Sequence, residues 1–317
     1  MRKISGKYKR RRTKRIIIKS KYSKQYKKKE KLAEIISNIS AIVLLIILAV
    51  LVLNLTVNKK ISVKADPESV AAMNISYNDF SVLENLAKKY NMNFASLLAY
   101  YFVENDFFVD KPVVNGNAYI EESFVKDFNH IKSKYKRKSI EPIEHMLHTI
   151  LNEIIYFPIP IGFDGERGND YTYGNTWGAL REYGGDRPHQ GTDIMDSLNT
   201  RGRIPIISMT GGTIKHIGWN ELGGYRVGVL TEVGNYYYYA HLSEFAPGLV
   251  EGGEINAGDI LGLMGDTGYS KKEGVTGNFA VHLHVGISYD LPGYEGDFWV
   301  NPYMFLKHIE KNRLILD

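Results

Sequence analysis

The chain has 317 residues, of which 44% are hydrophobic and 24% charged, with no cysteine and a formal net charge of +5. This length exceeds one ordinary core and suggests two folded units plus extra segments. Without cysteine no disulfide framework can form, and any metal site must draw on His, Asp or Glu. The small net charge conceals an asymmetry. Residues 1–34 carry 16 Lys and Arg against Glu30 and Glu34, a net +14, whereas the remainder carries 24 basic and 33 acidic residues, a net −9.

After the basic tail of residues 1–34, no charged residue occurs from Ile35 to Asn58. A helix needs about 20 apolar residues to cross a bilayer, and residues 35–58 are predicted to be such a helix. The cations lie on its N-terminal side, so the positive-inside rule puts the tail in the cytoplasm and the chain after Lys59 outside. A run that is apolar all round does not suit a buried helix of a soluble protein. It also exceeds the roughly 7–15 residue apolar core of a cleaved signal peptide, although Val63-Lys64-Ala65 offers a small residue for cleavage. The reading is an uncleaved single-pass anchor. Lysine and arginine runs also suit nucleic acid. Beside a membrane helix they are read as attraction to anionic lipid headgroups, and no nucleic-acid partner is expected.

Residues 59–156 are predicted to form a small α-helical spacer outside the membrane. Phe80, Leu83, Leu86, Ala87, Tyr90 and Met92, then Leu97, Leu98, Tyr101 and Phe102, recur at helical spacing. A second stripe runs through Ile143, Met146, Leu147, Ile150, Leu151 and Ile154, with Pro142 placed in its first turn. Lys132 to Lys138 is read as a solvated charge run. Glu144, His145 and His148 stand close on this helix, but in the wrong order for a His-Glu-x-x-His zinc motif. The stretch Ala87 to Glu104 faintly resembles the opening of lytic transglycosylase domains, in which a catalytic Glu ends such a helix. Asn105 departs from the Ser that usually follows there, and the segment is read as spacer.

From residue 157 the helical periodicity stops. Short apolar runs alternate with glycine-rich turns, as in Tyr225 to Thr231, Gly234-Asn235, then Tyr236 to His241. This predicts a compact, mainly β domain of hairpins over residues 157–308, followed by a C-terminal tail, 309–317. Of nine histidines, His130, His145, His148 and His308 fall outside it or its probable site, and His216 reads as a surface residue of a strand. His189 and Asp193 are four apart, and His282 and His284 two apart. Even spacing on an extended chain turns both members of a pair to one face. His241 closes an aromatic strand, even-spaced from Tyr237 and Tyr239. A catalytic zinc takes three N/O protein ligands and leaves a fourth position to water.

These fragments together resemble the lysostaphin/LytM-like zinc peptidoglycan endopeptidases, the duplicated-hybrid-motif metallopeptidases. The likeness runs from Arg187 to Pro302. It includes His189-Gln-Gly-Thr-Asp193, Gly212-Thr-Ile with Gly218-Trp219, Tyr239-Ala-His-Leu242, Gly258 to Gly262, Gly265-Asp-Thr-Gly268, His282-Leu-His284 and Asn301-Pro302. The resemblance implies an antiparallel β-sandwich or barrel-like sheet binding one Zn²⁺ through His189, Asp193 and His284. His241 and His282 would be the catalytic histidines. Tyr183, six residues before His189, stands where some members place a tyrosine that steadies the oxyanion.

The implied activity is a zinc metalloendopeptidase that hydrolyses peptide bonds in peptidoglycan. It would be held on a bacterial cell membrane with its catalytic domain outside. With no cysteine in the chain and no serine in a recognisable elbow, covalent catalysis is disfavoured. The loop Tyr269 to Ala280 is expected to wall the substrate groove. The competing reading from the same family is a non-catalytic scaffold or activator that joins an envelope protein partner in a division or sporulation complex. A third is an unrelated zinc-dependent binding or storage protein.

Overall fold

The computed structural model describes residues 5–57, 60–109, 121–162 and 170–316, with side chains over 21–53, 60–107, 123–162 and 170–316. The chain divides into two compact units, Met1–Lys60 and Ile61–Asp317. The first is a single helix, α1 (Ser5–Val57), in which the basic segment and the apolar run are continuous. Its stretch Lys21–Leu53 is long and apolar enough to cross a membrane, and large apolar side chains such as Leu44, Leu45 and Leu53 lie exposed on it.

The second unit opens with helices. α2 (Pro67–Ala72) is capped by Asp66, whose carboxylate accepts from Ser69 N–H at 3.0 Å. β1 (Asn74–Ile75) leads into α3 (Tyr77–Lys89), capped by Ser76, and α4 (Phe94–Glu104), capped by Asn93. These side-chain oxygens satisfy N–H groups that a first turn otherwise leaves free. β2 (Phe108–Val109) pairs in parallel with β1. α5 (Glu121–Lys134) and α6 (Arg137–Glu153) follow. α6 begins earlier than its apolar stripe suggested, so Pro142 lies inside it rather than in its first turn. Its exposed position leaves the carbonyl that loses an N–H partner on the solvent side.

Strands then dominate: β3 (Tyr171–Tyr173), β4 (Leu180–Arg181), β5 (Arg187–Pro188), β6 (Thr192–Asp196), β7 (Pro205–Ile207), β8 (Gly212–Asn220), β9 (Gly224–Leu230), β10 (Tyr236–Phe245), β11 (Glu254–Ile255), β12 (Ile260–Met264), β13 (His282–Tyr289) and β14 (Phe298–Val300), before α7 (Tyr303–Ile309). β4 and β5 form a small hairpin of their own. The rest make one sheet with the order β11-β8-β9-β10-β13-β6-β3; β12 joins β10 to β7, and β14 flanks β13. Its pairings are antiparallel. The architecture is therefore a mainly antiparallel β region preceded by helices and an N-terminal apolar helix.

Helices and sheet share a core. Phe80, Leu98, Met146 and Ile150 belong to the same buried cluster as Phe157, Tyr237, Leu283 and Phe305. Alternation on β10 sorts its tyrosines. Tyr237 and Tyr239 are fully buried, the first donating to Glu153 of α6 at 3.2 Å and the second accepting from Met209 N–H at 2.8 Å. Tyr236 and Tyr238 face the other side of the sheet, where a groove opens. Residues after α7 run back along the start of the β region: Phe157 N–H donates to the Asn312 carbonyl and Ile161 N–H to that of Leu314.

Candidate metal centre

The register of two strands builds most of the site. β6 and β13 pair with Asp193 opposite His284 and Met195 opposite His282. Directly opposed residues have Cβ atoms about 5 Å apart, so this pairing sets a carboxylate beside an imidazole. His189 comes from the turn between β5 and β6, held by its own N–H donating to the Ala179 carbonyl at 2.8 Å. Gly191 lets that turn pass beneath His284: a Cβ there would lie 2.4 Å from the imidazole Cε1 and 2.6 Å from the Val285 carbonyl oxygen.

Three atoms converge. His189 Nε2 lies 2.9 Å from His284 Nδ1 and 3.0 Å from Asp193 Oδ1, and His284 Nδ1 lies 3.0 Å from the same carboxylate oxygen. His189 Nδ1–H donates to the Thr176 carbonyl at 3.0 Å, which leaves Nε2 as a lone pair. The triangle thus holds three acceptors and room for at most one proton, from His284. Such a donor set suits a cation. Its edges compare with about 3.3 Å between ligands of a tetrahedral zinc at bond lengths near 2.0–2.1 Å. His189, Asp193 and His284 therefore form a possible metal site, and it is the single cluster of this kind among the described residues. Burial is the largest influence on Asp193 and opposes its charge. The facing imidazoles of His189, His284 and His282 outweigh it and hold the carboxyl far below the usual range.

Arg181 on β4 pairs with Asp193 Oδ2, leaving Oδ1 to the triangle. Its spacing from the motif carried no signal, because the contact depends on how the β4–β5 hairpin folds over β6. Tyr183 is not brought to the triangle. Its ring stacks on Tyr269 at 4.7 Å, and its hydroxyl faces Glu221 at 3.4 Å.

His241 and His282 flank the triangle, ring centroids 4.7 Å apart, with His282 Nε2 3.8 Å from Asp193 Oδ1. His241 reaches this side through a β-bulge. Between the pairs Tyr239↔Val227 and Leu242↔Tyr225, β10 spends three residues against two of β9. His241 takes the left-handed conformation at φ 64°. The even spacing from Tyr237 and Tyr239 therefore misled: those rings enter the core, whereas the bulge turns His241 to the groove. Both imidazoles donate Nδ1–H to carbonyls, His241 to Thr267 at 2.8 Å and His282 to Ala280 at 2.7 Å, so each presents Nε2 as the acceptor. Burial is the main cause that lowers both pKa values and keeps both rings neutral. Phe279 packs on both, at 4.6 and 5.0 Å, so the loop expected to wall the groove covers the histidines.

The groove above these groups has a volume of about 650 Å³ and extends over Tyr236, Tyr238, Arg226 and Trp299, with His216 near its margin. The other histidines stand apart from it; His145 Nδ1 meets the Tyr289 hydroxyl at 2.8 Å. Glu104 is engaged as well. It accepts from the Tyr135 hydroxyl at 2.7 Å and pairs with Lys134, a tie absent from the reading of residues 132–138 as solvated.

The model of peptidase family M23 matches residues 187–295. The L-Ala--D-Glu endopeptidase of Bacillus subtilis (strain 168) is 37% identical over 155 residues, 49% of this chain and 44% of that protein. Glycyl-glycine endopeptidase ALE-1 of Staphylococcus capitis is 33% identical over 120 residues, 37% of this chain and 29% of its own. The chain thus spans less than half the length of these two relatives. A crystal structure from Ruminococcus gnavus, described as a glycyl-glycine endopeptidase LytM, superposes with a TM-score of 0.61 at 30% identity, covering 78% of this chain and 92% of that one. With the family's motif region matched and that structure covered almost end to end, the chain belongs to peptidase family M23.

Proposed function

We propose that the protein is a membrane-anchored zinc metalloendopeptidase that hydrolyses peptide bonds of peptidoglycan. The observation that carries this reading is the triangle of three donor atoms flanked by two imidazoles with free Nε2 atoms. His189, Asp193 and His284 would hold one zinc ion. Zinc bound there would polarise a substrate carbonyl and acidify a water molecule. His241 and His282 are the proton carriers. Their neutral Nε2 atoms can accept a proton at neutral pH, and the resulting imidazolium can deliver it to the leaving amine. The Thr267 and Ala280 carbonyls fix the tautomer that this requires. Tyr183, stacked on Tyr269, would donate to the developing oxyanion once its hydroxyl leaves Glu221.

The organisation we propose is a basic cytoplasmic tail, 1–34, a membrane helix, 35–58, a helical region, 59–156, and the peptidase domain, 157–308, outside the cell. The +14 tail before an uncharged run supports that orientation, and lipid headgroups are the partners of the tail. Protease added to intact, wall-stripped cells should remove the chain beyond Lys59; full protection would refute the topology. For the activity, the zinc-replete full-length chain in detergent is incubated with purified walls. New primary amines should appear, stop on chelation and fail to appear with His284→Ala. A folded, zinc-loaded chain that releases none would overturn the reading.

A further inference from the structure

The groove continues across the sheet away from the metal centre. Ala240 on β10 pairs with His284 on β13, while Tyr239 pairs on its other side with Val227 of β9. Arg226 therefore stands beside Ala240 on the far side from His284. Two strand spacings put its backbone about 10 Å from that of His284, with only a methyl group between. Aromatic rings floor the rest. The Tyr236 hydroxyl lies where a Cβ on Gly228 would meet it at 1.8 Å, and Trp299 covers Gly286, 2.7 Å from a Cβ built there. Trp299 stands 6.0 Å from Tyr238 and 6.1 Å from Tyr236.

Two guanidinium groups line this stretch without an ion pair, although Asp290 and Asp297 also stand on the groove wall. Among the described residues, neither Arg226 nor Arg187 has a hydrogen-bond or ion-pair partner, and Arg226 Nη1 and Arg187 Nε are buried without one. Both act on Tyr238: burial is the main cause raising its pKa, and Asn220, Arg226 and Arg187 oppose it. A buried donor left unpaired is costly, and a guanidinium fork matches a carboxylate in two parallel hydrogen bonds.

We propose that this part of the groove is a substrate subsite for a free carboxylate, held by Arg226 with Arg187 beside it, which makes the protein select acidic peptides over neutral ones such as polyglycine. The assignment rests on the peptidase reading above. At about 3.4 Å per residue of an extended peptide, the carboxylate falls within about three residues of the bond at the metal centre.

The test is calorimetric titration of the His241→Ala chain, in which peptide is not consumed. The probes are N-acetyl-L-Ala-γ-D-Glu-L-Ala-amide, whose single carboxylate is the D-Glu α-carboxyl, the same peptide with that carboxyl amidated, and N-acetyl-pentaglycine-amide. The free carboxylate should bind on the order of 10- to 100-fold more tightly than either neutral peptide. Arg226→Gln should erase most of that difference, and Arg226→Lys, which keeps charge without the fork, should retain part of it. Equal binding of acid and amide, no binding of the acid, or an undiminished preference in Arg226→Gln would overturn the subsite. Should Arg226→Gln not fold, the peptide pair on the unaltered groove and Arg226→Lys still decide. Wall hydrolysis by the wild-type chain is scored separately. A chain that prefers the acid but releases no amines refutes the peptidase reading, whereas one that cleaves walls yet binds acid and amide alike refutes only the subsite.

Discussion

His241 combines a proposed catalytic role with a backbone conformation that side-chain-bearing residues avoid, and comparing two substitutions separates the two. His241→Ala and His241→Gly both remove the imidazole, its hydrogen bond to the Thr267 carbonyl and its packing on Phe279. They differ in backbone freedom. At φ 64° an L-residue bears roughly 1–2 kcal/mol that glycine does not. In ordinary positions glycine is worse than alanine by roughly 0.5–1 kcal/mol. The glycine variant should therefore be the more stable by about 0.5–1 kcal/mol, or about 1–3 °C in Tm for a chain of this size. Both variants should keep zinc and lose wall hydrolysis by about 10²–10⁴-fold, the usual worth of a general acid–base group. Thermal unfolding of the zinc-loaded variants, with metal content and amine release, reads all three quantities. An alanine variant as stable as the glycine one would refute the strained bulge, and loss of zinc from either would make His241 a ligand.

Arg181→Met should weaken zinc binding by roughly 10- to 100-fold in a competitive chelator titration, because Asp193 Oδ2 loses the partner that orients the carboxylate. Glu104→Gln should leave fragment release from walls unchanged. Burial raises the Glu104 pKa, but Lys134 and Tyr135 more than offset it and keep the group ionised, unfit to act as an acid. Asp196 supplies a pH dependence. Burial raises its pKa, but Arg203 and the N–H groups of Thr200 and Leu198 hold it below the usual range. A depressed folded pKa gives stability that is complete above the ordinary value near 3.9 and is lost as pH falls through the folded one. Denaturant midpoints should therefore fall as pH drops below about 4, and Arg203→Met should flatten that fall.

What the sequence made legible was local. The His282-Leu-His284 pair on one strand needs only the two-residue repeat of an extended chain, and both rings do line the groove. His189 and Asp193 also meet, though across a turn rather than along one strand. What stayed hidden depended on longer-range geometry. The bulge that turns His241 away from Tyr239 is visible only in the pairing with β9. Arg181 and Arg226 matter because of the strands they stand beside, and no spacing rule marks either. Residues 59–156 are expected to be a helical spacer, and amphipathic stripes alone do not say what they face. Glu153, at the end of α6, bonds to Asn235 and Tyr237 at the sheet that carries the site.

Metal analysis of the folded, zinc-replete chain tests the central claim most directly. One zinc per chain is expected in the wild type and in His282→Ala, and a loss of metal in His189→Ala, Asp193→Ala and His284→Ala. A folded wild-type chain without zinc, or a His284→Ala chain that keeps it undiminished, would contradict the account.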